Sequence, residues 1–277
     1  MKRYEMAEPG GKPEDLSRRT FFRRLALGLG GLALSRAGLD SAIAAPAAET
    51  VNPDEYDFVF SRLKFRDLRR KRSEWNLDPS CDQNFLHNLR KNVKIRVPVK
   101  PSTGGAFTCV ADLANRAEVL RYPFLFMTDN RSFELPGNER RNLKEFLDYG
   151  GFLFADDCVT GNSGDFFFQG MMALVPKMYP GLKLERLPDD HPVNNCYFHM
   201  GATPFFQGKH HGTHGLYLDG RLAIVLTPGD IHCAWSTLGD AWFGKGSFEK
   251  AMKFGVNVVV FALTQQGKLR QEEVKQA

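Results

Sequence analysis

The chain has 277 residues, 37 Lys and Arg against 32 Asp and Glu, and 43% hydrophobic residues, enough to bury a sizeable core. Its net charge is only +5, and residues 1–44, with eight basic and five acidic side chains, carry most of it; the rest is nearly neutral and offers no global electrostatic case for a nucleic-acid partner. Five cysteines, Cys81, Cys109, Cys158, Cys196 and Cys233, are odd in number and include no CxxC pair, which excludes a zinc ribbon and makes a disulfide framework unnecessary for folding.

Residues 1–44 read as an export address. The run SRRTFFR, with Arg18 and Arg19 adjacent, resembles the twin-arginine signal and precedes LALGLGGLAL. That apolar core is well short of the about 20 residues that span a bilayer, so no stable membrane anchor is expected. Ala42-Ile43-Ala44 supplies a cleavage site of the A-x-A kind. The expected organisation is a twin-arginine signal peptide over 1–44 and a single α/β domain over 45–277. The mature protein would be periplasmic or extracellular, with the twin-arginine translocase as its partner during export.

Alternating strands and helices are predicted along the mature chain. A first strand is expected over 56–65, with Phe58 and Phe60 on one face, then a helix over 82–93 and a short strand over 94–99. A helical turn or two follows at 113–120. The continuous apolar run PFLFMT at 123–128 suits a central parallel strand covered on both faces. Residues 135–151 form the best-marked helix, with Pro136 in the first turn, Leu143, Phe146 and Leu147 as its stripe and Gly150-Gly151 as its stop. The strand GFLFAD follows at once, the αβ half of a crossover unit. Phe167, Phe168 and Met171 of the next helix, beginning near Asp165, are expected in the core with Phe166 and Met172. Strands at 182–186 and 221–227 and a closing helix over 247–265 complete the pattern, although 256–260 also has high β-propensity.

YPFLFMTDN, LKEFLDYGGFLFADDC, DHP, DGRLAIVLTPGD with CAW, and GVNVVVFAL resemble, in that order, the bacterial domain of unknown function 4159. More distantly the chain looks like the class I glutamine amidotransferase-like superfamily, including the ThuA-like proteins. That resemblance implies a flavodoxin-like three-layer α/β sandwich with a mostly parallel sheet and sites at the carboxyl ends of its strands. It also implies a nucleophilic cysteine in a sharp turn after the strand that follows the GG-ended helix, activated by a later His and Glu. Here Asp156 or Asp157 stands at that position, Cys158 comes one or two places late, and ADDCVTG lacks the flanking glycines such a turn favours.

Asp156 and Asp157, adjacent at a strand end, point to opposite sides, so one must enter the crevice, where it could act as a general base or hard metal ligand; alternatively one caps the next helix and the other is solvated. Cys158 would need a helix N-terminus or an imidazole to become a nucleophile, and otherwise reads as an unreactive or disulfide-bonded thiol. His191, in DHP, is expected near the crevice by the ThuA-like resemblance or, alternatively, as a turn residue. His232 follows the strand RLAIVLT, with Asp230 as its only local orienter. His210 and His214 have the i, i+4 spacing of paired zinc ligands, but Gly212 and Gly215 disfavour a helix there, so as loop ligands they would draw on His199 or His232. The basic run Arg66, Arg69, Arg70, Lys71, Arg72, closed by Trp75, reads as a solvated face. Two functions follow: a non-catalytic binding or assembly module for an unknown protein or small molecule, or a metal-assisted or cysteine-dependent hydrolase-like enzyme using Asp156, Asp157, His191 and His232. The cofactor is unknown on either reading.

Overall fold

The structure, a computed structural model, describes residues 51–70, 73–100, 103–159 and 164–265. The expected export signal lies outside them, as do Lys71 and Arg72. In chain order the elements are β1 (Ser61–Lys64), α1 (Pro79–Asn92), β2 (Cys109–Asp112), α2 (Arg116–Arg121), β3 (Phe124–Asp129), α3 (Gly137–Asp148), β4 (Phe152–Asp157) and α4 (Phe166–Met178). They continue with β5 (Glu185–Arg186), α5 (Pro192–Asn195), β6 (His214–Leu218), β7 (Arg221–Thr227), α6 (Gly239–Phe243) and α7 (Ser247–Thr264).

The strands form one seven-stranded sheet in the order β2-β1-β3-β4-β7-β6-β5. Pairing is parallel from β2 through β7 and antiparallel from β7 to β6 and from β6 to β5. β3 and β4 are buried at all six positions each, as their unbroken apolar runs require of strands covered on both faces. Side chains alternate across the sheet. Phe60, Phe126, Phe154 and Val225 meet α1 and α7 on one face, while Leu63, Met127, Ala155 and Leu226 meet α2, α3 and α4 on the other.

Two strands fall where none was expected, and one expected strand is missing. Residues 94–99 contribute only an isolated bridge between Val99 and Ala106, and the chain enters the sheet later, as edge strand β2. β6 pairs with β7 through a two-residue turn in which Asp219 and Gly220 both take positive φ, 50° and 75°. Asp-Gly between hydrophobic runs is the signature of that turn, because only such backbone angles match the twist of the flanking strands. Of the strand expected over 182–186, only Glu185–Arg186 pairs.

The closing helix α7 keeps Val256 to Val260 helical despite their β-propensity, because it is buried along most of its length. Gly255 makes this packing possible: a Cβ there would lie 2.5 Å from Phe85 and 2.8 Å from Trp235, whose rings are stacked with centroids 4.3 Å apart. Among the described residues no helix is long and apolar enough to cross a membrane. Gly255→Ala should therefore lower stability by about 1–3 kcal/mol in chemical denaturation, since overpacking of two locked rings outweighs the about 1 kcal/mol gain in helix propensity.

Candidate functional site

The carboxyl ends of β3, β4 and β7 lie side by side, with Thr128 paired to Asp156 and Asp156 to Thr227. Strand periodicity sends the two carboxylates of β4 to opposite faces of the sheet. Asp156 turns toward the face of α1 and α7, where it is wholly buried. Its Oδ1 accepts from the Thr227 hydroxyl and its Oδ2 from the His232 backbone N–H at 2.8 Å, so it fastens the loop after β7 to the end of β4. Asp157 turns the other way and accepts from Phe168 N–H at 3.0 Å in the first turn of α4. That is a helix-capping bond, made from the preceding strand. Burial pushes the Asp157 carboxyl up to about 7, against the lowering influence of that N–H. Asp156 lies well above the usual carboxylate range, first from burial and then from the nearby Asp230.

Next to Asp156 stands a buried ionic group that begins with Arg62, in the middle of β1 and 2% exposed. Its Nε and Nη2 clasp Asp82 of α1 at 2.8 and 2.7 Å, and its Nη1 donates to Trp75 O at 3.0 Å and Leu77 O at 2.7 Å. Nη2 also approaches His232 Nε2 at 2.8 Å. A guanidinium always carries its hydrogens, so this approach is attractive only if Nε2 offers a lone pair. All five guanidinium donors are then satisfied, and His232 is neutral with its proton on Nδ1. Burial drives the His232 imidazole below its ordinary value, consistent with that state. Burial also works to raise Asp82, but the Arg62 charge and its two hydrogen bonds outweigh it and hold that carboxyl low. His232 Nδ1 is buried without a hydrogen-bond partner, a costly condition of about 1–3 kcal/mol.

The third part of the edge joins the residue after β4 to the loop after β7. Cys158 and Cys233, 5% and 7% exposed, bring their sulfurs within 3.1 Å. A carboxylate oxygen of Asp230 lies within 4.8 Å of both. Asp230 is wholly buried, takes φ +59°, and is pushed by burial up to about 6. Gln207 donates to its Oδ2 and also to Val159 O at 2.5 Å, which ties the loop before β6 to both strand ends. Cys158 is raised above the ordinary thiol value: burial and the nearby Asp230 and Asp156 charges outweigh the larger single influence of its bond to Cys233.

The sheet does not bring the other expected residues here. His191 caps α5, its Nδ1 accepting from Val193 N–H at 3.0 Å and its Nε2 meeting the Tyr217 hydroxyl at 2.8 Å. Tyr217 pairs with Leu222 near the start of β7, five positions before Thr227, or about 16 Å along the strand. The expected grouping of His191 with Asp156 and His232 is thus corrected: β6 runs back toward the opposite end of the sheet and takes His191's partner with it. His210 and His214 share no helix. His210 packs on Phe205, while His214 opens β6 and contacts Gly212 O through Nδ1 at 3.0 Å. The neighbouring His211 instead meets Asp165 at 2.6 Å. The basic run is not uniformly solvated either. Arg66 and Arg69 are exposed, whereas Arg70 bonds Asp67 and reaches Asp129 at 2.8 Å.

Arg62, Asp82, Thr227 and Gln207 were absent from the sequence expectations, and Cys233 appeared there only as one of five thiols. One signal was available: two-residue alternation puts Arg62 on the same face as Phe58 and Phe60, where a buried charge demands a partner. Nothing local marks Asp82 as that partner, because it lies twenty positions further along the chain, beyond a turn.

A carboxyl whose value is raised on folding contributes stability that is present below its unfolded value and lost as pH climbs through the folded one. Asp157→Asn keeps an acceptor for Phe168 N–H and removes the titration. Its melting temperature should rise relative to the wild type from about pH 4 to about pH 7, reflecting on the order of a few kcal/mol, and a difference independent of pH would contradict the elevated value.

No curated protein matches the chain. A family model described as a domain of unknown function (DUF4159) matches residues 60–263, from β1 to the last turn of α7, and so takes in Arg62, Asp82, Asp156, Asp157, Cys158, Asp230, His232 and Cys233. The chain belongs to the DUF4159 family of domains of unknown function.

Proposed function

We propose that this is an exported protein in which an amidotransferase-like sheet serves binding or assembly and no longer catalysis. One observation carries the reading. Asp156 stands at the strand end where the superfamily's nucleophile is expected, yet it is wholly buried, with both oxygens engaged in holding the Thr227 and His232 segments. A nucleophile or base must reach substrate, and this carboxyl is spent on the fold. The finer fold assignment has its own support: taken in chain order, the parallel strands lie second, first, third, fourth, fifth, the flavodoxin-like order. Periplasmic or extracellular location rests on Arg18 and Arg19, the short apolar core and the Ala42-Ile43-Ala44 site.

A second reading, a metal-assisted or cysteine-dependent hydrolase-like enzyme, has one observation in its favour. Asp157 at about 7 and Asp230 at about 6 cluster at one sheet edge with near-neutral values, as tuned acid-base groups do.

Purified mature protein should hydrolyse glutamine no faster than its Cys158→Ser variant; hydrolysis that this variant abolishes would favour the enzyme. Residues 1–44 fused to a folded reporter should direct its export, and replacing Arg18 and Arg19 by Lys should stop it. Export indifferent to that replacement would overturn the assignment of the signal.

A further inference from the structure

We infer that Cys158, Asp230 and Cys233 form a binding site for a single thiolate-preferring divalent ion, zinc above all. The three donor atoms come from two segments far apart in sequence, the end of β4 and the loop after β7, and converge within 4.8 Å of one another with all three residues buried. Tetrahedral zinc, with Zn–S near 2.3 Å and Zn–O near 2.1 Å, sets sulfur–sulfur separations of about 3.8 Å and sulfur–oxygen separations of about 3.6 Å. The sulfurs, 3.1 Å apart, need to part by about 0.7 Å once their mutual hydrogen bond gives way to ligation. Two thiolates and a carboxylate make a donor set that favours zinc over the oxygen-seeking magnesium or calcium.

The carboxylate separates this reading from the obvious competitor, a Cys158–Cys233 disulfide. Gln207 takes Asp230 Oδ2, and Oδ1 is left buried with no hydrogen-bond partner. Oxidation to a disulfide removes both S–H groups, which act as donors toward this carboxyl beside Gln207 and the Val159 N–H, and offers Oδ1 nothing in their place. A cation satisfies Oδ1 directly, and Gln207 becomes the outer partner that orients a ligating carboxylate. On binding, the ion displaces the two thiol protons to solvent. Three protein ligands leave a fourth tetrahedral position for water or an exogenous donor. The inference does not rest on the binding-module reading, since zinc here is compatible with a structural or a catalytic role.

The test uses the mature chain purified without an affinity tag. Elemental analysis should find about one zinc per chain, and Cys158→Ser, Cys233→Ser and Asp230→Asn should each lose most of it, whereas His210→Ala and His214→Ala should keep it. Chelation of the wild type should lower its melting temperature and added zinc should restore it. If the cysteine variants fail to fold, cobalt substituted into the wild type decides, because thiolate ligation gives a charge-transfer band that oxygen and nitrogen ligands do not. Overturning results are the absence of zinc both as isolated and after incubation of the reduced protein with zinc, a cobalt derivative without that band, zinc retained in the cysteine variants, or a Cys158–Cys233 disulfide found by mass under non-reducing conditions.

Discussion

The carboxyl edge of the sheet depends on the buried pairing of Arg62 with Asp82. Removing a guanidinium and a carboxylate from water costs several kcal/mol for each ion, and the loss is recovered only where every donor and acceptor is met. Arg62 meets that condition through three segments: α1 supplies Asp82, the loop before α1 supplies the carbonyls of Trp75 and Leu77, and the segment after β7 supplies His232. A point in the middle of β1 thereby fixes the approach of α1 and the return of the last crossover. Hydrophobic contact alone places helices on a sheet without specifying their register so closely. Trp235 completes the junction, stacking on Phe85 of α1 and donating from its indole to Ala251 O at 3.0 Å.

The second organising constraint is the two-residue period of β4. Adjacent identical residues, Asp156 and Asp157, acquire unlike tasks because one faces the loop after β7 and the other the start of α4. Each carboxyl is a connector between a strand end and the segment packed above it. The elevated values of both follow from being enclosed by what they connect. Elevated carboxyl values are common at active sites, but here burial under the segments that each carboxyl connects supplies a structural cause, against the lowering influence of the bonds from Thr227, His232 and Phe168.

Much of the architecture was legible in the sequence because its strongest signals are local. PFLFMT, GFLFAD and RLAIVLT are long apolar runs and became β3, β4 and β7; the Leu143, Phe146, Leu147 stripe became the buried side of α3. The edge strand β2 was missed because four residues with one exposed face, Cys109–Asp112, carry little periodicity. β6 was missed although Asp219-Gly220 announces its turn, because HGLYL opens on a histidine and a glycine and shows little alternation of its own. At the site, Asp156, Asp157, Cys158 and His232 were legible as chemistry at strand ends. Their partners were not, since Arg62, Asp82 and Cys233 reach them only through tertiary packing. His191 was misplaced for the same reason: its position depends on an antiparallel strand that composition did not reveal.

The two rims of the sheet bear on how this protein can associate. β2, at one rim, offers four residues of ladder, and β5, at the other, only two. The long strands β3, β4 and β7 are all interior, with both sides already hydrogen-bonded. A newcomer that adds a strand to a sheet needs a run of unpaired backbone to zip against, and these rims give it almost none. Self-templated growth at the rims is discouraged by the same economy of edge. Recognition is thereby shifted to side chains on helices and loops, where the specificity of contact is written residue by residue rather than by backbone repeat.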